Sequence, residues 1–239
     1  MKKLPIFTAA AGLAACLLHL VLFRFAADQK ALLIPTHPLC ILLWVLTAGV
    51  CLKILLRIRN VQGSALYSHN FSASLSAAAG TVGLALGIGI TVFLSRFSFS
   101  RLELIRNIAG ILSIPALSWA AIRRREGKEP FFLLYGLVCA FLILHTVSRY
   151  QGWSSQNQML KYFFPMLGCV LLTLFSYHQT AFAVGLGKRR SQLFCGLLGA
   201  FFCFGAMALG TDVPLYLTGG IWMLTDLCSL TPEIRHDPS

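Results

Sequence analysis

The feature that most constrains this chain is a series of eight apolar runs, each 18 to 23 residues long, separated by short polar segments. A hydrocarbon core about 30 Å thick is crossed by about 20 helical residues, so each run can span a bilayer. The sequence therefore predicts an all-α, polytopic integral membrane helix bundle with about eight transmembrane helices. Seven is the alternative, because the fourth run contains Pro115 and the eighth is short and contains Asp226. The runs cover residues 5–25, 38–56, 73–94, 104–122, 131–148, 162–184, 192–209 and 213–230.

The composition favours the same class of protein. Hydrophobic residues make up 57% of the chain and charged residues only 12%, with a mean hydropathy of +0.75, which leaves too little polar surface for a soluble globule. The net charge of +12 comes from basic residues in the short connections, where they contact anionic headgroups. We expect membrane lipid as a partner, and no nucleic acid, because aromatic and basic residues do not interleave.

The distribution of basic residues predicts an orientation. With alternating spans, thirteen Lys and Arg residues share the side of the N-terminus and seven lie on the other side. Basic residues accumulate on the cytoplasmic side, so we expect a multi-pass protein of a bacterial plasma membrane with both termini in the cytoplasm. The thirteen are Lys2, Lys3, Lys53, Arg57, Arg59, Arg123, Arg124, Arg125, Lys128, Lys188, Arg189, Arg190 and Arg235, and the seven are Arg24, Lys30, Arg96, Arg101, Arg106, Arg149 and Lys161.

Two segments of the chain resemble each other. "LPIFTAAAGLAACLLHLVLFRF" (4–25) and "EPFFLLYGLVCAFLILHTVSRY" (129–150) share proline, phenylalanine, glycine, cysteine, histidine, valine and arginine in the same order. This order favours a single transmembrane domain made of two parallel half-repeats of four spans, residues 1–125 and 126–239. The alternative is a chance match, because apolar helices use a small set of residue types.

Metal and cofactor sites are not indicated by the sequence. The eight cysteines all lie within the apolar runs, and none forms a CxxC or a Cys/His cluster, so we expect no metal site and no disulfide framework. No cofactor-binding or hydrolase motif is present. Catalytic residues are therefore not assigned.

Small residues in the third run predict close helix packing. They recur every four residues on one face, so a neighbouring backbone can approach. We expect this face to pack in the interior: Ala79, Gly83, Gly87 and Thr91, with Ser72, Ser76 and Gly80 on an adjacent stripe.

The sixth run contains a polar segment that should be functional. Its four-residue stripe on one helix face is Thr173, Ser176, Tyr177 and Thr180. His178 lies nearly opposite this stripe, and Gln179 falls within the same segment. Because polar groups on two sides are costly in lipid, we expect the sixth helix to be central and contacted by protein or water all round.

Ionisable residues within the other runs are candidate transport residues. Asp226 should lie at the depth of His178, and we expect either that the two pair or that Asp226 reaches interfacial water. His19 and His145 occupy matching positions in the half-repeats. His145 and Arg149 share a helix face and either line a vestibule for an anionic solute or make interhelical and headgroup contacts.

Three functions remain open from the sequence. A small-solute transporter, or the membrane component of one, would have a water-accessible cavity that reaches His178, and Pro115, Gly219 and Gly220 would permit broken helices. A non-catalytic partner or sensor subunit would have a packed interior and a basic loop, residues 123–129, that docks on a protein or lipid. A membrane-embedded enzyme would bring His178, Tyr177 and Asp226 into one pocket.

Overall fold

The computed structural model describes residues 3–25, 37–61, 63–95, 100–154 and 159–231. In this part of the chain the regular secondary structure is helical, with one isolated antiparallel bridge between Phe71 and Leu230. Short 3₁₀ turns occupy Met159–Tyr162 and Met207–Leu209. The α-helices are α1 (Lys3–Phe25), α2 (Pro38–Ile58), α3 (Tyr67–Asn70), α4 (Leu75–Leu94), α5 (Arg101–Arg125), α6 (Phe132–Ser154), α7 (Phe163–Ala183), α8 (Arg189–Ala206) and α9 (Val213–Cys228).

Local sequence accounts for where several helices begin and end. The Ser74 side chain accepts a hydrogen bond from the Ala77 amide at 3.3 Å, which caps the start of α4. Pro38 occupies the first turn of α2, where its missing N–H costs nothing. Gly127, with φ +70°, follows α5 and turns the chain toward α6, a conformation that glycine adopts without strain.

The predicted membrane helix bundle is confirmed. Seven helices, α1, α2, α4, α5, α6, α7 and α8 with its 3₁₀ extension, are long and apolar enough to cross a membrane. Helix α9 coincides with the eighth apolar run but has only 16 residues. It nevertheless lies antiparallel to α4 along the bundle, because Gly87 contacts Thr218 and Gly80 contacts Thr225.

Six helices form a closed ring, and the sequence did not predict that α8 is its most buried member. Helices α4 to α9 pack in sequence order, α9 closes the ring on α4, and α1 and α2 pack outside against α8. Fifteen of the eighteen residues of α8 are buried. The sixth helix, α7, is not central and is not surrounded by protein, since Leu174 and Tyr177 on α7 are exposed.

The close helix packing of α4 combines one glycine from each of the two predicted stripes. Of the face predicted to be interior, Gly87 and Thr91 are buried, and Gly80 of the adjacent predicted stripe is buried too. Ala79 is exposed, and a Cβ on Gly83 would meet no atom within 4 Å. Gly80 and Gly87, seven residues apart, face Thr225 and Thr218 on α9. The reason is geometric, because positions seven apart stay on one face of a helix.

Pro115, Gly219 and Gly220 do not interrupt their helices. Helix α5 continues through Pro115 for 25 residues, and α9 continues through the glycine pair. A Cβ on Gly219 would lie 3.0 Å from Leu172, and one on Gly220 would lie 3.0 Å from Phe204. The two glycines therefore serve close packing of α9 against α7 and α8 rather than a helix break.

Candidate functional site

The most unusual polar feature of the bundle is a pair of buried carboxylates on α9. Asp212 precedes the first residue of α9 and Asp226 lies in its last turn, fourteen residues later. At 1.5 Å per residue they are about 20 Å apart, and fourteen residues bring them back to nearly the same helix face. We call their surroundings the Asp212 end and the Arg124 end of the bundle.

At the Arg124 end, the guanidinium of Arg124 binds three groups at once. Its Nη2 donates to Asp226 Oδ1 at 2.7 Å and to Ser229 Oγ at 2.6 Å, and its Nη1 donates to the Tyr67 hydroxyl at 2.6 Å. Only 2% of the Arg124 side chain and 1% of the Asp226 side chain are exposed. Burial raises the pKa of the Tyr67 phenol, so this group stays neutral and accepts through its oxygen.

The second carboxylate oxygen and the guanidinium face have partners as well. The Gln179 amide of α7 donates to Asp226 Oδ2. The Phe71 ring lies 4.2 Å from the Arg124 guanidinium carbon, which is a cation–π contact. Three long helices and the connection between α2 and α4 thus meet at one ion pair.

The connection between α2 and α4 is fixed over this end by backbone contacts. Asn70 donates to the carbonyls of Ser64 and Leu66, at 2.7 and 2.8 Å. The Thr231 amide donates to the Asn70 carbonyl at 2.9 Å, and Arg189 donates to the Thr231 carbonyl. The short helix α3 therefore covers the Arg124–Asp226 pair.

At the Asp212 end, one arginine and one histidine contact a buried carboxylate. Arg149 donates to Asp212 Oδ1, and His145 Nε2 lies 3.5 Å from Oδ2. The Asp212 side chain is 4% exposed and that of Arg149 is 34% exposed. Burial alone raises the pKa of Asp212, but His145 and Arg149 outweigh it and lower the pKa to about 2.

A second arginine lies beside this group. Arg106 donates to Asn107 Oδ1 from Nε at 3.2 Å and from Nη2 at 3.0 Å, and to Ser148 Oγ from Nη1 at 3.1 Å. Asp212 itself has φ +52°, which is uncommon for a residue with a side chain. The strained backbone aims this carboxylate at α6, where His145 and Arg149 lie.

The predicted polar residues of α7 separate into different roles. Ser176 is buried and donates to the Tyr135 carbonyl at 3.1 Å, and Gln179 binds Asp226. Thr173 and Thr180 donate to carbonyls of their own helix. The side chain of Tyr177 is 57% exposed. The buried polar face of α7 therefore contains Ser176 and Gln179, not the whole predicted stripe.

The predicted pairing of His178 with Asp226 is wrong, and so is its alternative. Asp226 is neither paired with a histidine nor open to water, because Arg124 and Gln179 bind it. His178 lies on a different side of α7 from Gln179, where it borders a groove between α2, α7 and α8. Adjacent helical residues point about 100° apart, so Gln179 and His178 cannot share one partner.

The two remaining candidate histidines, His19 and His145, have different surroundings. His19 is buried, with Nδ1 3.2 Å from the Gly205 carbonyl and its ring edge against Phe164. His145 and Arg149, which share a face as predicted, meet at Asp212. The side chains expected to line a vestibule for an anionic solute are therefore bound by a carboxylate of the same chain.

The arrangement excludes a shared pocket for His178, Tyr177 and Asp226, because each of these side chains meets different surroundings. Within the described ranges, no group of three or more His, Cys, Asp or Glu side chains converges as a metal site would require. The chemistry available at the two ends is the making and breaking of ion pairs.

Sequence reasoning missed Arg124, Tyr67, Asp212 and Arg106 as site residues. Arg124 stands in "RRREGKE", which indicates an exposed basic loop, and Asp212 stands between two apolar runs. Asp212 had one usable signal, because an aspartate directly before a Val-Pro helix start is a typical N-cap position. Comparison of the chain with protein-family models, curated proteins and solved structures gives no match.

Proposed function

We propose that this chain is a small-solute transporter, or the membrane component of one, whose two ends close through ion pairs on α9. One observation carries the proposal: α9 has a buried carboxylate at each end, and each is held by an arginine from a different helix. Ionisable residues within membrane helices are costly and mark solute pathways by default. Because α9 is held by an ion pair at each of its ends, one end of the bundle can open while the ion pair at the other end stays intact.

The region between the two ends is filled by aromatic side chains. Trp222 of α9 is fully buried, stacks with Tyr135 at 6.1 Å between ring centroids and meets Phe175 edge-on at 4.9 Å. Nearer the Asp212 end, the Tyr216 hydroxyl lies 3.3 Å from Cys169 Sγ. In this proposal the aromatic layer separates the two ends, and the structure corresponds to the form with both ends closed.

The physical basis is the cost of leaving a buried charge alone. Separating Arg124 from Asp226 in a dry interior is strongly unfavourable, so the pair breaks only when water or a solute replaces the partner. The same holds for Asp212 and Arg149. Each end therefore opens with hydration of its own pair, while the other pair holds the bundle together.

The orientation is part of this proposal. We infer that both termini are cytoplasmic in a plasma membrane, because thirteen of twenty basic residues then lie inside. The Arg124 end then faces the cytoplasm and the Asp212 end faces outward. Four of the counted residues, Lys2, Lys30, Arg96 and Arg235, lie outside the described part of the chain.

Thiol accessibility at two depths tests the proposal. Cys169 reports on the Asp212 end and a Ser176→Cys substitution on the Arg124 end, each as the single cysteine of the protein. We expect both to resist an impermeant maleimide in otherwise unaltered protein. Asp226→Asn should expose Ser176→Cys from the inner side only, and Asp212→Asn should expose Cys169 from the outer side only.

The matched control is Glu126→Gln, which removes an exposed carboxylate near the same end as Asp226. It should leave both reporters protected. Protection in every variant would contradict the transporter proposal, and so would labelling of both reporters from both sides, which indicates loss of folding.

A partner or sensor subunit is the second candidate, supported by the packed interior and by the basic turn after α5. Arg125 and Lys128 are exposed there, whereas Arg124 is buried. If protection persists in all reporters, the double substitution of Arg125 and Lys128 to Glu should abolish function in cells without lowering the amount of folded protein. A chain that tolerates this charge reversal is not a docking subunit of this kind.

A further inference from the structure

A groove on the outside of the bundle is not used by either ion pair. It lies between the last turn of α2, the second half of α7 and the first turns of α8, and its volume is about 340 Å³. This is the size of a small-molecule site. The groove opens to the surface and is lined by Leu55, Ile58, His178, Arg190, Ser191, Phe194 and Cys195.

The lining is divided into a polar mouth and an apolar wall. Arg190 and Ser191 lie in the first turn of α8, and His178 faces them from α7. The apolar part comes from α2 and from the second turn of α8. A ligand that fits this lining combines an anionic or polar head with a hydrocarbon body.

The polar mouth can hold an anion. Arg190 is exposed and, within the described ranges, forms no ion pair with a carboxylate. The neighbouring Lys188 is also exposed, and its side chain does not cap α8. The start of α8 also lies at this mouth, and a helix N-terminus adds a favourable field for negative charge.

The depth of the groove matches a headgroup boundary. Ile58 ends α2 and Arg189 begins α8, so the polar mouth lies where two membrane-spanning helices end. His178 is five residues before the end of α7, about 7.5 Å deeper along the helix. An acyl chain leaving a phosphate at the mouth would run along Leu55 and Phe194.

We propose that this groove binds one anionic phospholipid from the leaflet at the Arg124 end. The phosphate contacts Arg190 and the first turn of α8, His178 and Ser191 bind headgroup or ester oxygens, and one acyl chain covers the apolar wall. A free phosphate ion satisfies only the mouth. The site is independent of the transport proposal, because none of its residues takes part in the Arg124 or Asp212 pairs.

Lipid titration of the delipidated, full-length protein in detergent tests the site. Phosphatidylglycerol should raise the thermal unfolding midpoint saturably, whereas phosphatidylcholine and inorganic phosphate should not. We expect Arg190→Gln to weaken the apparent affinity for phosphatidylglycerol by about tenfold, because it removes the main charge-assisted contact. The matched control Arg125→Gln, an exposed arginine at the same end of the bundle, should change it less than about twofold.

A second variant addresses the apolar wall. Phe194→Ser should weaken phosphatidylglycerol binding while it leaves the response to ionic strength unchanged. Equal losses in Arg190→Gln and Arg125→Gln would overturn the site in favour of diffuse attraction to the basic surface. Saturable binding of phosphatidylcholine, or stabilisation by phosphate alone, would overturn the anionic lipid as the occupant.

Discussion

Arg124 illustrates how one residue type can have opposite roles within a few positions. Arg125 and Lys128 are exposed, whereas Arg124, in the same basic segment, is buried against Asp226, Tyr67 and Ser229. A basic residue at the end of an apolar run is compatible with either role, because snorkelling and ion pairing require the same side chain. Only the approach of α9 and α3 decides between them.

The Arg124–Asp226 pair should make an asymmetric contribution to stability. Arg124→Gln or Asp226→Asn alone should lower the free energy of unfolding by about 3–5 kcal/mol, because each leaves a buried group unpaired. The double variant Arg124→Met with Asp226→Leu should lose much less than the sum of the single losses. Unfolding midpoints in detergent provide the measurement, with Lys128→Gln as the exposed control. Additive losses would show that the two side chains are not coupled.

The Asp212 pair should give a defined pH dependence. Because His145 and Arg149 lower the folded pKa of Asp212 to about 2, its contribution is present above pH about 4 and is lost as the pH falls toward 2. This contribution is roughly 2 kcal/mol. The difference in unfolding free energy between the natural protein and Asp212→Asn should shrink as the pH falls below about 4. A difference that does not change down to pH 3 would show that the contact is not ionic.

At the scale of helices, the pattern of apolar runs predicted where each helix lies in the sequence. It did not predict which neighbouring helix packs against each helix face. All eight apolar runs contain a helix, and the polar residues of α7 were correctly placed on a helix. Their division into the buried Ser176 and Gln179 and the exposed Tyr177 depends on where α6 and α9 pack. A single sequence carries no direct record of those contacts.

Two glycines of α4 offer a matched test of its packing against α9. In Gly87→Ala, the new Cβ would lie 2.8 Å from the Pro214 carbonyl oxygen, a backbone atom that cannot rotate away. We expect this overpacking to destabilise the protein by about 1–3 kcal/mol. Gly83→Ala meets no atom within 4 Å and should be neutral or stabilising by up to about 1 kcal/mol, since alanine is the better helix former. Thermal unfolding midpoints of both variants provide the measurement. Equal effects of the two substitutions on stability would contradict the observed α4–α9 interface.

For the whole molecule, the sequence predicts the class of fold more fully than its arrangement. Hydrophobic length is enough to identify a membrane bundle, because every backbone group must be satisfied internally in lipid. The strong burial of α8 could not be predicted, since the hydropathy of its apolar run does not distinguish it from the other runs. The proposed half-repeats stay a prediction; the matched His19 and His145 have different partners.

Reporter fusions can determine how many times the chain crosses the membrane. Helix α9 measures about 24 Å at 1.5 Å per residue, shorter than an average hydrocarbon core of about 30 Å, yet it packs along α4 and α8. If α9 crosses, reporters inserted after Lys128 and fused after Thr231 lie on the same side, and a reporter fused after Gly210 lies on the other. We expect green fluorescent protein to be active at the first two positions and alkaline phosphatase at the third. Alkaline phosphatase activity after Thr231 would mean that the chain crosses the membrane seven times. The carboxylate of Asp226 would then lie at the opposite surface from the one proposed. This result would contradict closure of the cytoplasmic end by Arg124.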